Sequence, residues 1–291
     1  MQAEPLAQSK RQFFYTAEEG QTVLQILQQE GYSKRLIIAL KQTEDGLAVL
    51  GKRVRATHAL KAGEILTVTL PRVDVSRAVS NAAVPVIYED DDITVYNKPA
   101  GMVCHRSGSH FADTLENTQN GVFRAMHRLD RDTSGALVTA KHQLAAAKLW
   151  QQIEKRYIAV VQGRLAENHG FITLPLDRAA AYEPRQIVCE DGKLAKTEYQ
   201  ILAKNDAFTV VACTPHTGRM HQIRAHFAAL GHPLAGDVFY GGETTSITRQ
   251  ALHCEKVIFK HPITHKLCCF TALMPSDMAD LIDKNGLILD C

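Results

Sequence analysis

The segment Met126-His127-Arg128-Leu129-Asp130-Arg131-Asp132-Thr133-Ser134-Gly135 packs two Arg, two Asp, two hydroxyls and a Gly into one short loop. The apolar run Ala136-Leu137-Val138 follows directly. A loop at the start of a rigid strand suits a carboxylate held for reaction. The same composition also suits a solvated, salt-bridged loop with an Asx turn into Gly135. Histidines are the other candidates. His216, His221 and His226 are spaced by five. On a helix that spacing advances about 140° around the axis, so the three cannot share one face to hold a metal. No phosphate-cradling GxxxxGK(S/T), dinucleotide GxGxxG, HExxH zinc pair or GxSxG elbow occurs. These absences remove the simple nucleotide, metalloprotease and hydrolase readings, no metal or cofactor is expected, and both readings of the loop stay open.

Other segments fall in a recognisable order. HRLDRDTSG resembles the signature loop of the RluA-type pseudouridine synthases, which isomerise uridine within RNA. Val95-Tyr96-Asn97-Lys98-Pro99-Ala100-Gly101-Met102 resembles the family's "NKPAG" motif, and Glu154-Lys155-Arg156-Tyr157-Ile158-Ala159 its "EKRY.A" strand. Gly192 to Thr197 resembles "GK.A.T". Thr217 to His226, continued by Gly231 to Asp237, resembles "TGR.HQIR.H" and "GHP..GD". Residues 20–70 are similar, less closely, to the αL-type RNA-binding domain. There Ser33-Lys34-Arg35, Gly51-Lys52-Arg53-Val54 and Leu60-Lys61-Ala62-Gly63-Glu64 echo its motifs, with Leu50 where Asn is usual.

The resemblance implies an α+β pseudouridine-synthase fold with a small αL-like RNA-binding domain before it. It implies a reaction in which uracil leaves its sugar, rotates and rejoins through carbon 5. Asp130 is then the catalytic carboxylate, attacking the anomeric carbon or removing a proton from the 2′ carbon. Arg219 matches the arginine that pairs with that Asp, and Tyr157 the tyrosine that stacks on the base and assists at carbon 5. Arg128 would enter the space that the flipped base leaves. Lys98, Lys196, His221 and Arg224 are expected on RNA phosphates or as anchors, Lys34, Arg35, Lys52 and Arg53 on RNA through the N-terminal unit. Asp132 is expected to fix the loop. Three departures stand out: a short interval between Asp130 and Tyr157, Arg106 where Pro is common, and Cys254 where Ala is common.

The elements that must position these residues are legible in outline. Val23 to Leu27 and Leu36 to Leu40 read as helices opened by Thr22 and Ser33, and Leu47–Leu50, Lys52–Arg55 and Ile65–Leu70 as strands. Residues 1–72 form one expected domain, 73–84 a linker, and 85–291 the catalytic domain. In the last, strand runs outnumber helices at 143–153, 220–230 and 275–284 and do not alternate with them. That predicts a mixed, largely antiparallel sheet flanked by helices.

Composition is that of an ordinary globular chain: 291 residues, 45% hydrophobic and 22% charged. The formal charge of +2 is too small for a protein that coats nucleic acid by charge alone. The basic excess sits in residues 1–72, with ten Lys and Arg against seven Asp and Glu. No apolar run reaches the ~18 residues of a membrane span. The polar start and seven cysteines without a CxxC pair predict a cytoplasmic protein with reduced thiols. The expected partner is rRNA or tRNA, with rRNA favoured, and the expected state a monomer. Two other readings use the same residues: an assembly factor that binds RNA without catalysis, and a metal-dependent hydrolase using the histidines. Asp130, Tyr157 and Arg219 together favour the isomerase.

Overall fold

A computed structural model describes residues 10–71, 80, 82–106, 110–119 and 122–289. Most of the expected linker lies outside the described residues, as does the extreme N-terminus.

Residues 12–69 build a four-stranded antiparallel sheet around two short helices. The elements run β1 (Gln12–Thr16), α1 (Val23–Gln29), α2 (Lys34–Gln42), β2 (Leu47–Val49), β3 (Lys52–Arg53) and β4 (Ile65–Thr69), in sheet order β1-β4-β2-β3. Local chemistry explains the helices. Thr22 accepts the Gln25 amide while the Gln25 side chain accepts the Thr22 amide, a capping box. Ser33 caps α2 at the Leu36 amide, 3.2 Å. Their inward residues, Ile26, Leu27, Leu36 and Leu40, meet Phe13, Leu47, Leu66 and Val68 in one core. No strong sequence pattern marks β1. Only its pairing with β4, Gln12 opposite Thr69 through Thr16 opposite Ile65, makes it a strand.

The following elements are β5 (Val86–Glu89), β6 (Ile93–Lys98), β7 (Ser134–Ala140), α3 (Gln143–Leu149), β8 (Glu154–Gln162) and β9 (His169–Thr173). Then come β10 (Leu176–Arg178), β11 (Gln186–Val188), β12 (Lys196–Lys204), β13 (Phe208–Pro215), α4 (Gln222–Ala229), β14 (Leu252–Lys260), β15 (Leu267–Thr271) and α5 (Ser276–Lys284). Among the described residues they form a nine-stranded sheet, β5-β6-β7-β14-β8-β13-β12-β9 with β15 on β14, and a separate β10–β11 hairpin. Every pairing is antiparallel except the short β7–β14 contact at Ser134–His253 and Gly135–Cys254. The expected α+β class with a mixed, largely antiparallel sheet is therefore what the chain adopts.

Alternation along β8 divides the core. Tyr157, Ala159 and Val161 face a layer that includes Ile223 and Phe227 of α4. Ile158 and Val160 face Met278, Leu281 and Ile282 of α5. The helix α3 bridges the two sheets: Leu144 joins the N-terminal core while Ala145 and Leu149 join the large one. Beside it Arg11 grips Asp92 with Nε and Nη2 at 2.9 and 3.0 Å. His142 caps α3 through Nδ1, so its Nε2 carries the proton and donates to Asp92 at 2.9 Å. No helix among the described residues is long and apolar enough to cross a membrane.

Candidate active site

The loop carrying Asp130 enters β7 at the one point where β7 and β14 run parallel. Gly135 makes that approach possible. Its φ is +117°, and a Cβ there would run into the Cys254 carbonyl oxygen. Buried groups then hold the loop from behind. Lys98 is fully buried and donates to the carbonyls of Pro99, Met102 and Arg131 at 2.8, 2.7 and 3.0 Å. Burial pulls its ammonium down to about 8, against the opposing pull of Cys104, Asp132 and Asp130. All three donors are used and none reaches solvent, so of the two roles expected for Lys98, phosphate contact or anchor, the geometry fits the anchor. It is a pin between two loops. Cys104 brackets Leu129, its Sγ 3.3 Å from the carbonyl and 3.4 Å from the amide. Arg249 donates to the Asp132 carbonyl at 3.0 Å while its fork holds Asp277 at 2.6 and 2.8 Å. No sequence signal pointed to Arg249.

Asp130 itself is about a quarter exposed, and one buried arginine faces it. Arg224 Nη1 donates to Asp130 Oδ2 at 3.0 Å. The same guanidinium binds Asp237 through Nε at 2.6 Å and Nη2 at 2.8 Å. Burial works against the Arg224 charge, but the hydrogen bonds and charge of Asp237, with those of Asp130, outweigh it and push its titration up. Arg219 does not make this pair. It lies in the exposed turn before α4 and donates Nε to the Leu194 carbonyl at 3.1 Å. Position explains the difference: Arg224 sits on the buried face of α4, above Asp237, and Arg219 lies outside the helix. His221 heads α4 in the left-handed region, φ 51°, with Nε2 3.8 Å from Asp130. Burial lowers its pKa, which the Asp130 carboxylate opposes.

Tyr157 is buried on the α4 side of β8, in register with Cys213 and Cys254. Burial raises its phenol well above the ordinary value, and Cys254 and Asp130 add to the effect. The phenol is therefore neutral at any working pH. Arg128 is exposed two residues before Asp130. Lys196 is three residues from Tyr199, which shares the Tyr157 register. Its side chain thus points to the opposite face of the sheet, with Nζ 4.1 Å from the Phe171 ring centre. Lys34, Arg35, Lys52 and Arg53 are exposed on the N-terminal sheet and its second helix. The three spaced histidines go to separate places. His216 meets Glu198, His221 lies near Asp130, and His226 meets Thr197 and the Leu174 carbonyl. Asp90, Asp92 and His261 bring donor atoms within 4.8 Å of one another. Asp92 is already engaged by Arg11 and His142, and Asp90 by Tyr88, His261 and two backbone amides.

Comparison with known proteins identifies the family. A family model for RNA pseudouridylate synthases matches residues 92–229, which span Asp130, Tyr157 and Arg224. The uncharacterized RNA pseudouridine synthase YjbO of Bacillus subtilis is 38% identical over 277 residues, 90% of this chain and 98% of that protein. The ribosomal large subunit pseudouridine synthase D of Nitrosomonas europaea is 35% identical over 245 residues, 76% of this chain and 71% of that one. Among solved structures, human RNA pseudouridylate synthase domain containing 1 superposes with a TM-score of 0.58 at 27% identity, covering 70% of this chain and 90% of that one. With relatives of this identity and coverage, the chain belongs to the RNA pseudouridine synthase family of isomerases.

Proposed function

We propose that the protein isomerises one specific uridine in structured ribosomal RNA, as a cytoplasmic monomer that needs no metal or cofactor. The observation that carries this reading is the Asp130–Arg224 pair at 3.0 Å, with Arg224 locked from behind by Asp237. A guanidinium in that position donates to the carboxylate and fixes its direction. Asp130 opens the glycosidic bond, either at the anomeric carbon or through the 2′ proton. Tyr157 supports the base through its rotation and acts at carbon 5. Stacked RNA shields the sugar, so the uridine must be extruded at a cost of a few kcal/mol, and Arg128 fills the space it leaves. Arg219, His221 and Lys196, with Lys34, Arg35, Lys52 and Arg53 of an αL-like domain, contribute contacts to the surrounding RNA. A preference for rRNA is supported by the names of relatives such as ribosomal large subunit pseudouridine synthase D.

The test is to incubate unmodified total RNA with the wild type and with Asp130→Asn, with and without EDTA. Pseudouridine is then mapped by carbodiimide labelling and primer-extension stops. New stops with the wild type alone, unaffected by EDTA, are expected, and their position names the target. RNA binding without new stops would overturn the catalytic reading. Stops lost in EDTA would overturn the metal-free one.

A further inference from the structure

Beside the catalytic pair lies a groove of about 490 Å³ between β11, α4 and the turn at 238–240. One wall is Ile187 and Val188, each 41% exposed, and the other is Val238 and Phe239, 70% and 41% exposed. The floor is Ala225, Ala228 and Ala229 of α4, whose small side chains leave the space open. The groove runs into the site. The Arg224 guanidinium lies 5.9 Å from the Phe239 ring and 5.1 Å from Tyr240, and the His221 ring packs edge-on against both. The Tyr240 hydroxyl accepts the Gln186 amide at 2.8 Å and so ties β11 to the same cluster.

None of the wall side chains carries a group for proton transfer or nucleophilic attack. No carboxylate lines the groove, and Arg185 stands among its lining residues. Clustered exposed apolar side chains beside a charged site mark a binding surface. Extruding a uridine breaks the stacks on both its sides, so each neighbouring base loses a partner. A base has two apolar faces and a charged backbone, which suits an aromatic wall beside cations.

We propose that this groove receives a nucleobase adjacent to the target uridine, stacked on Phe239, and so contributes to the choice of site. The inference rests on the RNA isomerase reading above. Its test uses an RNA oligonucleotide spanning the mapped uridine, intact or abasic at the 5′ or the 3′ neighbour. Ala229→Leu fills the groove from an exposed helix position, and Phe239→Ala removes the stacking face, with Phe239→Leu as a milder variant. Each of Ala229→Leu and Phe239→Ala is expected to raise KM for the intact RNA about 5- to 100-fold, with kcat within about threefold. One abasic RNA should show the same loss with the wild type and little further loss with Phe239→Ala. An unchanged KM in both variants, or losses that multiply, would overturn the inference while leaving the isomerase reading intact. A wild type that forms no pseudouridine in the intact RNA would overturn the isomerase reading first. A wild type that elutes as a dimer, made monomeric by Ala229→Leu, would assign the groove to a second copy of this chain and overturn the nucleobase assignment.

Discussion

At the scale of single residues, two arginines five apart have different work. Arg224 spreads three nitrogens over two carboxylates, and Arg219 gives one to a backbone carbonyl. Lysine carries the same charge but cannot bridge Asp130 and Asp237 with a planar fork. Arg224→Lys is therefore expected to lower kcat about 100-fold or more, and Arg219→Ala less than about tenfold, in single-turnover assays on the mapped RNA. Equal losses would return the pairing role to Arg219. Lys98 offers a second test. Lys98→Met leaves three part-buried carbonyls without their shared donor, which should cost about 2–3 kcal/mol in urea unfolding. The Asp130 loop, released at Arg131, should lose activity beyond what the lost folded fraction explains. Asp130, Tyr157, Arg219, Arg224 and Asp237 all lie in legible motifs, but which of them pair was not legible. Arg219 and Arg224 lie five positions apart in sequence, and only the buried face of α4 decides which one meets a carboxylate.

At the scale of elements, the clearest local conflict is the turn between β2 and β3. Val49 pairs with Lys52, and Leu50 and Gly51 between them have φ of 49° and 75°. A two-residue turn of this kind favours Asn-Gly, and Leu carries a Cβ cost in the left-handed region. Leu50 is 85% exposed, so it recovers nothing by packing. Leu50→Asn is expected to stabilise the protein by about 1 kcal/mol, read as a higher urea midpoint with the same slope. Strands with strong β-branched runs, such as β8 and β13, were readable from pattern. The short β9, β10 and β11 were not. His169–Thr173 contains a Gly and alternates weakly, and pairing with the long β12 is what extends it. The helix expected over 143–153 stops at Leu149, and Gln151 takes φ 58°. The chain turns there to start β8.

At the scale of the whole molecule, buried titratable groups set the response to acid. Burial lowers His127 to about 3 and also lowers His221, His226 and His253. The fold keeps these rings neutral, but the unfolded chain protonates them below about pH 6.5, so stability falls as pH drops through that range. Burial alone would raise Asp90 and Asp92. Backbone amides and Tyr88 at Asp90, and His142 and Arg11 at Asp92, outweigh it and hold both low. Their contribution is present above about pH 4 and is lost as pH falls through the lower folded values. Thermal unfolding should therefore show Tm declining below about pH 6.5 and more steeply below about pH 4. Asp92→Asn should lower Tm at pH 7 and flatten the steep part, because it removes the carboxylate charge that Arg11 and His142 both grip. The amino-acid sequence by itself determined the motif order, most strands and helices and the α+β class. These depend on local pattern and on residue types close together in the chain. Only the tertiary structure decided that Arg224 faces Asp130, that Asp237 grips it from behind, that Lys98 is buried, and that Lys196 points away from Tyr157. Each of those depends on which face of a strand or helix meets a segment distant in sequence, and burial, register and packing settle that together.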